Sequence, residues 1–272
     1  MKETKVYLLD FGTLTLDGFQ MFWNLGPSGT IRFPVYGALI DHADGLYLFD
    51  TGFDKETFDN LSPGRTGQTA RQTVPGQLDL LGLKPSDINY VINSHYHLDH
   101  CGGNKHCTCA KTICHKLELE AALDPEPFEA RGYTDMSFLP DAFHPPVLAD
   151  VGAPSYDDAA DEIFTDSFEL LLGDQEIAKG IHLIETPGHT PGHYSLLVEL
   201  AGRRPMLFSG DACYAKRSLD HMAISSSHVN PRQAYDSLGR LRDLARARDA
   251  EIFYSHDPEA WQNFKLAPLP YL

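Results

Sequence analysis

The stretch Ser94-His95-Tyr96-His97-Leu98-Asp99-His100 decides the reading of this chain, because it sets four candidate metal ligands within six residues. The short apolar run Val91-Ile92-Asn93 precedes it, so the ligands fall on a turn beyond the end of a strand. Imidazole and carboxylate donors together suit a borderline cation such as Zn2+, with Fe2+, Mn2+ or Co2+ also compatible, whereas oxygen-only sites favour Mg2+ or Ca2+. Four such groups packed together without a cation would be poorly satisfied.

The same grammar recurs along the chain. Ile181 to Glu185 leads to His189, Met206-Leu207-Phe208 to Asp211, and Ile252-Phe253-Tyr254 to His256. Strands buried in a layered α/β fold read as short apolar runs and carry ligand groups on the loops past their ends. Ligands distant in sequence are therefore expected to converge along one edge of the sheets. Val35 to Ile40 and Leu46 to Phe49, separated by Asp41-His42-Ala43-Asp44-Gly45, read as a hairpin, and Asp50 ends its second strand in the same manner. Asn230 and Pro231 cap and open a helix whose Ala234, Leu238, Leu241 and Ala245 mark one sheet-facing side. The stretch from about Asp124 to Asp166 is rich in Pro, Asp and aromatics, as in Asp124-Pro125-Glu126-Pro127-Phe128 and His144-Pro145-Pro146. It reads as a long insertion over the site, a lid.

With 272 residues, 42% apolar and 22% charged, the chain fits one domain spanning 1–272 with a large core. Lys and Arg total 22 against 38 Asp and Glu, a net charge of −16 that repels phosphate backbones and anionic lipid headgroups. Nucleic acid and membrane surfaces are thus not expected partners. The start Met-Lys-Glu-Thr-Lys lacks a signal-peptide run, and no stretch reaches the ~18 apolar residues of a membrane span, so a cytoplasmic location is expected. The five cysteines read as reduced thiols.

Other candidate donors read as structural. His193 follows a Pro-Gly turn and suits structural hydrogen bonding. His106, Cys107, Cys109, Cys114 and His115 lack the paired short motifs of a zinc knuckle and read as partly buried thiols and their neighbours. Cys101 and Cys213 adjoin metal-site residues. The arm from Phe11 to Phe33 fits either a homodimer contact or a pocket wall. Within it, Met21, Phe22 and Trp23 suit an apolar substrate pocket or the core.

His95-X-His97-X-Asp99-His100, Thr186-Pro187-Gly188-His189, Gly210-Asp211 and Ser255-His256 resemble the metal motifs of the metallo-β-lactamase superfamily, in order and across most of the chain. The resemblance implies an αββα sandwich, two facing mixed sheets with helices outside. It also implies two metal ions, zinc foremost: His95, His97 and His189 on one, Asp99, His100 and His256 on the other, with Asp211 bridging. Asp50 is similar to the carboxylate that braces the histidine loop in that family.

Two divalent cations sharing one water lower its pKa and polarise the carbonyl it attacks, and no Gly-X-Ser-X-Gly elbow argues for a serine nucleophile. Asp211-Ala212-Cys213-Tyr214 resembles the Asp-X-X-Tyr of the lactonase branch, which implies Tyr214 as an oxyanion donor, and in the reaction path Asp99 or Asp211 suits the proton relay to the leaving alkoxide. The ending His256-Asp257-Pro258-Glu259-Ala260-Trp261 is similar to N-acyl-homoserine lactonases, the quorum-quenching enzymes. Phe22-Trp23-Asn24, Arg32-Phe33-Pro34-Val35-Tyr36, Cys101-Gly102-Gly103-Asn104-Lys105 and His193-Tyr194-Ser195-Leu196-Leu197 instead look like 4-pyridoxolactonase of vitamin B6 degradation. The acyl-homoserine lactone reading ranks first. A glyoxalase II-like thioesterase and a non-enzymatic metal-binding module are more distant alternatives.

Overall fold

Alternation along each short strand sorts side chains into layers. Val91 and Ile92, Leu48 and Phe49, Leu183 and Ile184, and Leu196 and Leu197 are neighbours in sequence, yet the members of each pair join different core clusters. The computed structural model describes residues 3–134, 136–138 and 167–272. His144-Pro145-Pro146 and most of the expected lid lie outside the described residues.

One sheet has seven strands, β1 (Lys5–Asp17), β2 (Thr30–His42), β3 (Gly45–Phe49), β4 (Thr66–Gly67), β5 (Tyr90–Ile92), β6 (Lys111–His115) and β7 (Phe168–Leu171), in the order β4-β1-β2-β3-β5-β6-β7. The other has five, β8 (Gln175–Ala178), β9 (Ile181–Glu185), β10 (Tyr194–Val198), β11 (Met206–Phe208) and β12 (Glu251–Phe253), in the order β12-β11-β10-β9-β8. Both are mixed: β3, β5, β6 and β7 run parallel while β1 and β2 form a long antiparallel pair, and β11 pairs parallel with β12 but antiparallel with β10. The expected hairpin is β2 and β3, with Ala38 opposite Phe49 and His42 opposite Gly45.

The sheets face each other across Val6, Leu8, Ile40, Phe49 and Ile92 from one side and Leu183, Leu196, Met206, Phe208 and Phe253 from the other. The outer face of the first sheet, through Leu39, Leu48 and Val91, packs on Val74 and Leu78 of the helix Val74–Asp79. The outer face of the second, through Ile184, Leu197 and Leu207, packs on Leu238, Leu241 and Ala245 of the helix Pro231–Arg248. That helix opens as its sequence predicts: the Asn230 side chain accepts from the Gln233 N–H and Pro231 takes the first turn. Four layers result, helix, sheet, sheet, helix, in agreement with the expected sandwich. Among the described residues, no helix is long and apolar enough to cross a membrane.

The arm from Phe11 to Phe33 is the outer half of the β1–β2 pair with the short helix Gly18–Met21 at its tip. The tip is docked: the Trp23 N–H donates to the Ile224 carbonyl and the Ser226 N–H to the Gln20 carbonyl, both at 2.9 Å.

Candidate metal centre

The strands named above for their ends deliver their side chains to a common point. β5 runs into the loop holding His95 and His97 and the short helix Leu98–Cys101 with Asp99 and His100; β9 leads to His189, β11 to Asp211 and β12 to His256. Donor atoms within 4.8 Å of one another form three groups: His95, His97 and His189; His95, His100 and Asp211; Asp99, His100 and His256. Among the described residues these are the groups able to hold a metal ion, and all belong to this cluster.

The ring nitrogens are sorted by what stands behind them. His100 Nδ1 meets Asp50 Oδ2 at 2.8 Å, His256 Nδ1 meets the Pro34 carbonyl at 3.0 Å, His189 Nδ1 meets the Ser227 carbonyl at 2.6 Å and His95 Nδ1 meets Ser94 Oγ at 2.9 Å. An imidazole whose Nδ1–H is donated backwards keeps the Nε2 lone pair for the front. Those Nε2 atoms converge on Asp211: His189 lies 3.2 Å from Oδ2, and His100 and His256 lie 3.2 and 3.1 Å from Oδ1. His97 arrives the other way round, with Nδ1 3.0 Å from His189 Nε2.

The donor set fits a cation on a specific ground. His95 Nε2, His100 Nε2 and Asp211 Oδ1 are buried with no hydrogen-bond partner, and buried polar atoms are normally paired. Facing lone pairs repel one another, and a cation among them turns that repulsion into coordination. Nitrogen and carboxylate donors match Zn2+ and its first-row neighbours.

The electrostatics divide the imidazoles into two kinds. Burial holds His95 and His189 well below the ordinary imidazole value and takes His97 to about 4, so all three are neutral donors at pH 7. Burial also depresses His100, but the carboxylates of Asp211, Asp50 and Asp99 outweigh it and hold His100 well above its ordinary value, so its Nε2 carries a proton toward Asp211 that a bound cation would replace. Burial opposes ionisation of Asp211, and the neighbouring imidazoles, His256 and His100 foremost, overcome it and keep the carboxyl well below the usual range.

Asp50 sits at the end of β3 with φ 54°, a left-handed conformation uncommon for a residue with a side chain. From there Oδ1 accepts from the Ser94 N–H at 2.8 Å, while Oδ2 accepts from the Ser94 hydroxyl at 2.8 Å as well as meeting His100. The centre opens onto a cavity of about 460 Å3 lined by His97, Asp99, His189, Asp211 and Tyr214 on its floor, and by Leu14, Leu16, Phe33, Phe58, Leu61 and Phe128 on its walls. The Tyr214 ring lies 5.1 Å from His256 and 6.0 Å from His189, and its carbonyl accepts from the His256 N–H at 2.9 Å. Burial, then the neighbouring Asp211 carboxylate, raise the Tyr214 phenol well above its ordinary value, which keeps it a proton donor.

Met21, Phe22 and Trp23 do not line this cavity. Met21 and Phe22 are buried in the core beneath the arm and Trp23 is half-exposed on its surface, while their neighbour Gln20 stands at the cavity. Leu14, Leu16 and Phe33 carry the arm's contribution to the wall. The first part of the Pro-rich stretch also reaches the site: Gly132 accepts from the Leu98 N–H at 2.9 Å, and Phe128, Glu129 and Arg131 line the cavity.

His193 is tied more closely to the centre than its turn suggests. Its Nδ1 meets Thr186 Oγ1 at 2.8 Å and its Nε2 accepts from the Asp211 N–H at 2.9 Å, so it fixes the backbone that presents Asp211. His115 caps its own helix by accepting from the Leu117 N–H and meets Glu185 at 2.7 Å, while Cys107 and Cys114 lie in separate core clusters. None of the five cysteines is in a disulfide.

Two facing mixed sheets with a cluster of imidazoles and carboxylates at the strand ends define a class: the chain belongs to the metallo-beta-lactamase superfamily, whose sequence profile matches residues 30–256. Within that class, the N-acyl homoserine lactonase AttM of Rhizobium radiobacter is 30% identical over 277 aligned positions covering 98% of each chain. The N-acyl homoserine lactonase of Bacillus thuringiensis is 28% identical, over 98% of this chain and 99% of its own. Among solved structures, an N-acyl homoserine lactone hydrolase with the product N-hexanoyl-L-homoserine bound at the catalytic metal centre superposes with a TM-score of 0.79 at 26% identity, covering 100% of both chains.

Proposed function

We propose that this protein is a dinuclear zinc lactonase that opens the ester ring of an N-acyl homoserine lactone to the free hydroxy acid. The observation that carries the reading is the convergence of three donor groups and the Tyr214 phenol on the floor of one cavity. Full-length similarity to N-acyl homoserine lactonases supports the choice of substrate.

In this reading His95, His97 and His189 would hold one ion and Asp99, His100 and His256 the other, with Asp211 available to both. Two divalent ions bound there supply an acidified water and a polarised ester carbonyl. The chain's own residues do the rest. Tyr214, kept protonated by burial and by Asp211, donates a hydrogen bond to the carbonyl oxygen as negative charge grows on it. Asp99, with 17% of its side chain exposed at the cavity floor, takes the proton of the attacking water and returns it to the ring oxygen as the C–O bond breaks. Asp211 shares this relay. Leu14, Leu16, Phe58 and Leu61 offer the acyl chain an apolar wall.

The direct test is a substrate panel on the zinc-loaded protein, read by proton release: an N-acyl homoserine lactone, 4-pyridoxolactone, a plain γ-lactone and S-lactoylglutathione. Turnover of the acyl lactone at least tenfold above the rest is expected. Turnover of 4-pyridoxolactone or the thioester alone would move the assignment.

A further inference from the structure

Glu118 has no exposed surface and lies on the helix Lys116–Leu123, behind the centre rather than in it. Its Oε1 accepts from the Tyr96 N–H at 2.9 Å and from the Tyr133 hydroxyl at 3.2 Å, and its Oε2 accepts from the Gly192 N–H at 3.1 Å. Tyr96 is the residue between His95 and His97, and Gly192 lies on the loop that carries His189. The approach on that side is close, since a Cβ on Gly192 would stand 2.3 Å from the Glu118 backbone nitrogen. Tyr133, the third partner, packs its ring 4.9 Å from that of His97.

One carboxylate therefore ties together the two loops that supply His95, His97 and His189. Other groups stand behind the other donors: Asp50 behind His100 and the Pro34 carbonyl behind His256. We infer that Glu118 is a positioning residue for the three-histidine ion site and acts on that site selectively. The inference rests on the two-ion reading above.

The physical reason is the acceptor count. A carboxylate deep in the fold is tolerated because N–H and O–H donors surround it, and such charge-assisted bonds are the stronger kind. Its two oxygens serve opposite loops. A glutamine of the same shape has one oxygen and one NH2, so in either orientation it sets a donor against Tyr96 N–H or Gly192 N–H. One loop then loses its tie, and the distance between His97 and His189 is no longer fixed.

The test measures zinc affinity by chelator competition on metal-stripped protein, a readout independent of turnover. Glu118→Gln is placed in two backgrounds: His256→Ala, which leaves the three-histidine site, and His97→Ala, which leaves the other. In the first, zinc binding is expected to weaken about 10- to 100-fold, the range for residues that orient ligands; in the second it is expected to change less than about threefold. Equal weakening in both backgrounds, or none in either, overturns the inference. Wild-type protein that binds a single zinc would instead sink the two-ion reading and leave the Glu118 effect on that one site measurable. If Glu118→Gln does not fold, as judged by near-UV circular dichroism, Tyr133→Phe replaces it, with the same selectivity expected at a smaller size and the same equal or null result overturning the inference.

Discussion

Asp50 and His100 are 50 residues apart in sequence, and their side chains meet at 2.8 Å in a pocket where both are almost fully buried. This contact fixes which nitrogen of His100 faces the cluster. Because Asp50 also accepts from the Ser94 N–H and hydroxyl, it sets the loop's start and the orientation of its last ligand together. Asp50→Asn keeps the shape but presents an NH2 where an acceptor is needed. The expected result is a 10- to 100-fold loss of zinc affinity, measured by competition with a chromophoric chelator.

Tyr214 should separate binding from chemistry. Tyr214→Phe removes only the phenol oxygen, and the residue holds the His256 loop through its backbone, which the substitution spares. Zinc content is expected to stay unchanged while kcat falls. The loss is expected near the lower end of the ~10²–10³ seen for a single oxyanion donor, since a bound metal would share the task. An equal loss of bound zinc would place Tyr214 in the scaffold instead.

A titration near neutrality is built into the cavity wall. Burial, together with the Glu118 and Glu126 carboxylates, pushes the Glu129 carboxyl up to about 7 from its ordinary 4.5. It is therefore neutral below that pH and negative above it. The hydroxy-acid product is an anion, so its inhibition should weaken as pH rises through about 7 and stay flat in Glu129→Gln. The same shift means the folded state holds a proton that the unfolded chain has released, so this group's contribution to stability is present below 4.5 and is lost as pH rises through about 7. Thermal melts across that window, wild type against Glu129→Gln, check the sign.

Leu238 has no exposed surface and fills the seam between the helix Pro231–Arg248 and the second sheet. Leu238→Ala is expected to destabilise by about 2–5 kcal/mol in chemical denaturation, the usual range for a buried leucine. Zinc affinity should be unaffected once the protein is folded.

What the sequence revealed followed chain-local rules. The runs before His95, His189, Asp211 and His256 announced strands by their apolar character, and strand ends are where an α/β fold puts its ligands. Ala234, Leu238, Leu241 and Ala245 announced a buried helix face by spacing alone. Glu118 gave no such signal, because its meaning lies in Tyr96, Tyr133 and Gly192, which only the fold brings to it. His193 read as structural, but that it seats Asp211 depends on an approach across 18 residues. Met21, Phe22 and Trp23, which the sequence left open between pocket and core, show the limit from the other side. Aromatic character near a site does not distinguish cavity from core, and the direction in which a four-residue helix faces is set by its docking on Ile224 and Ser226.

Lactone opening by this cluster of seven side chains is expected to need two bound ions. Zinc is added stepwise to metal-stripped protein while ring opening of N-hexanoyl homoserine lactone is followed. The expected rate is negligible without zinc, rises with addition and levels off at two equivalents per chain, and in His97→Ala stays near background throughout. Full activity in the metal-free protein, or none after two equivalents are bound, would rule out a two-ion lactonase.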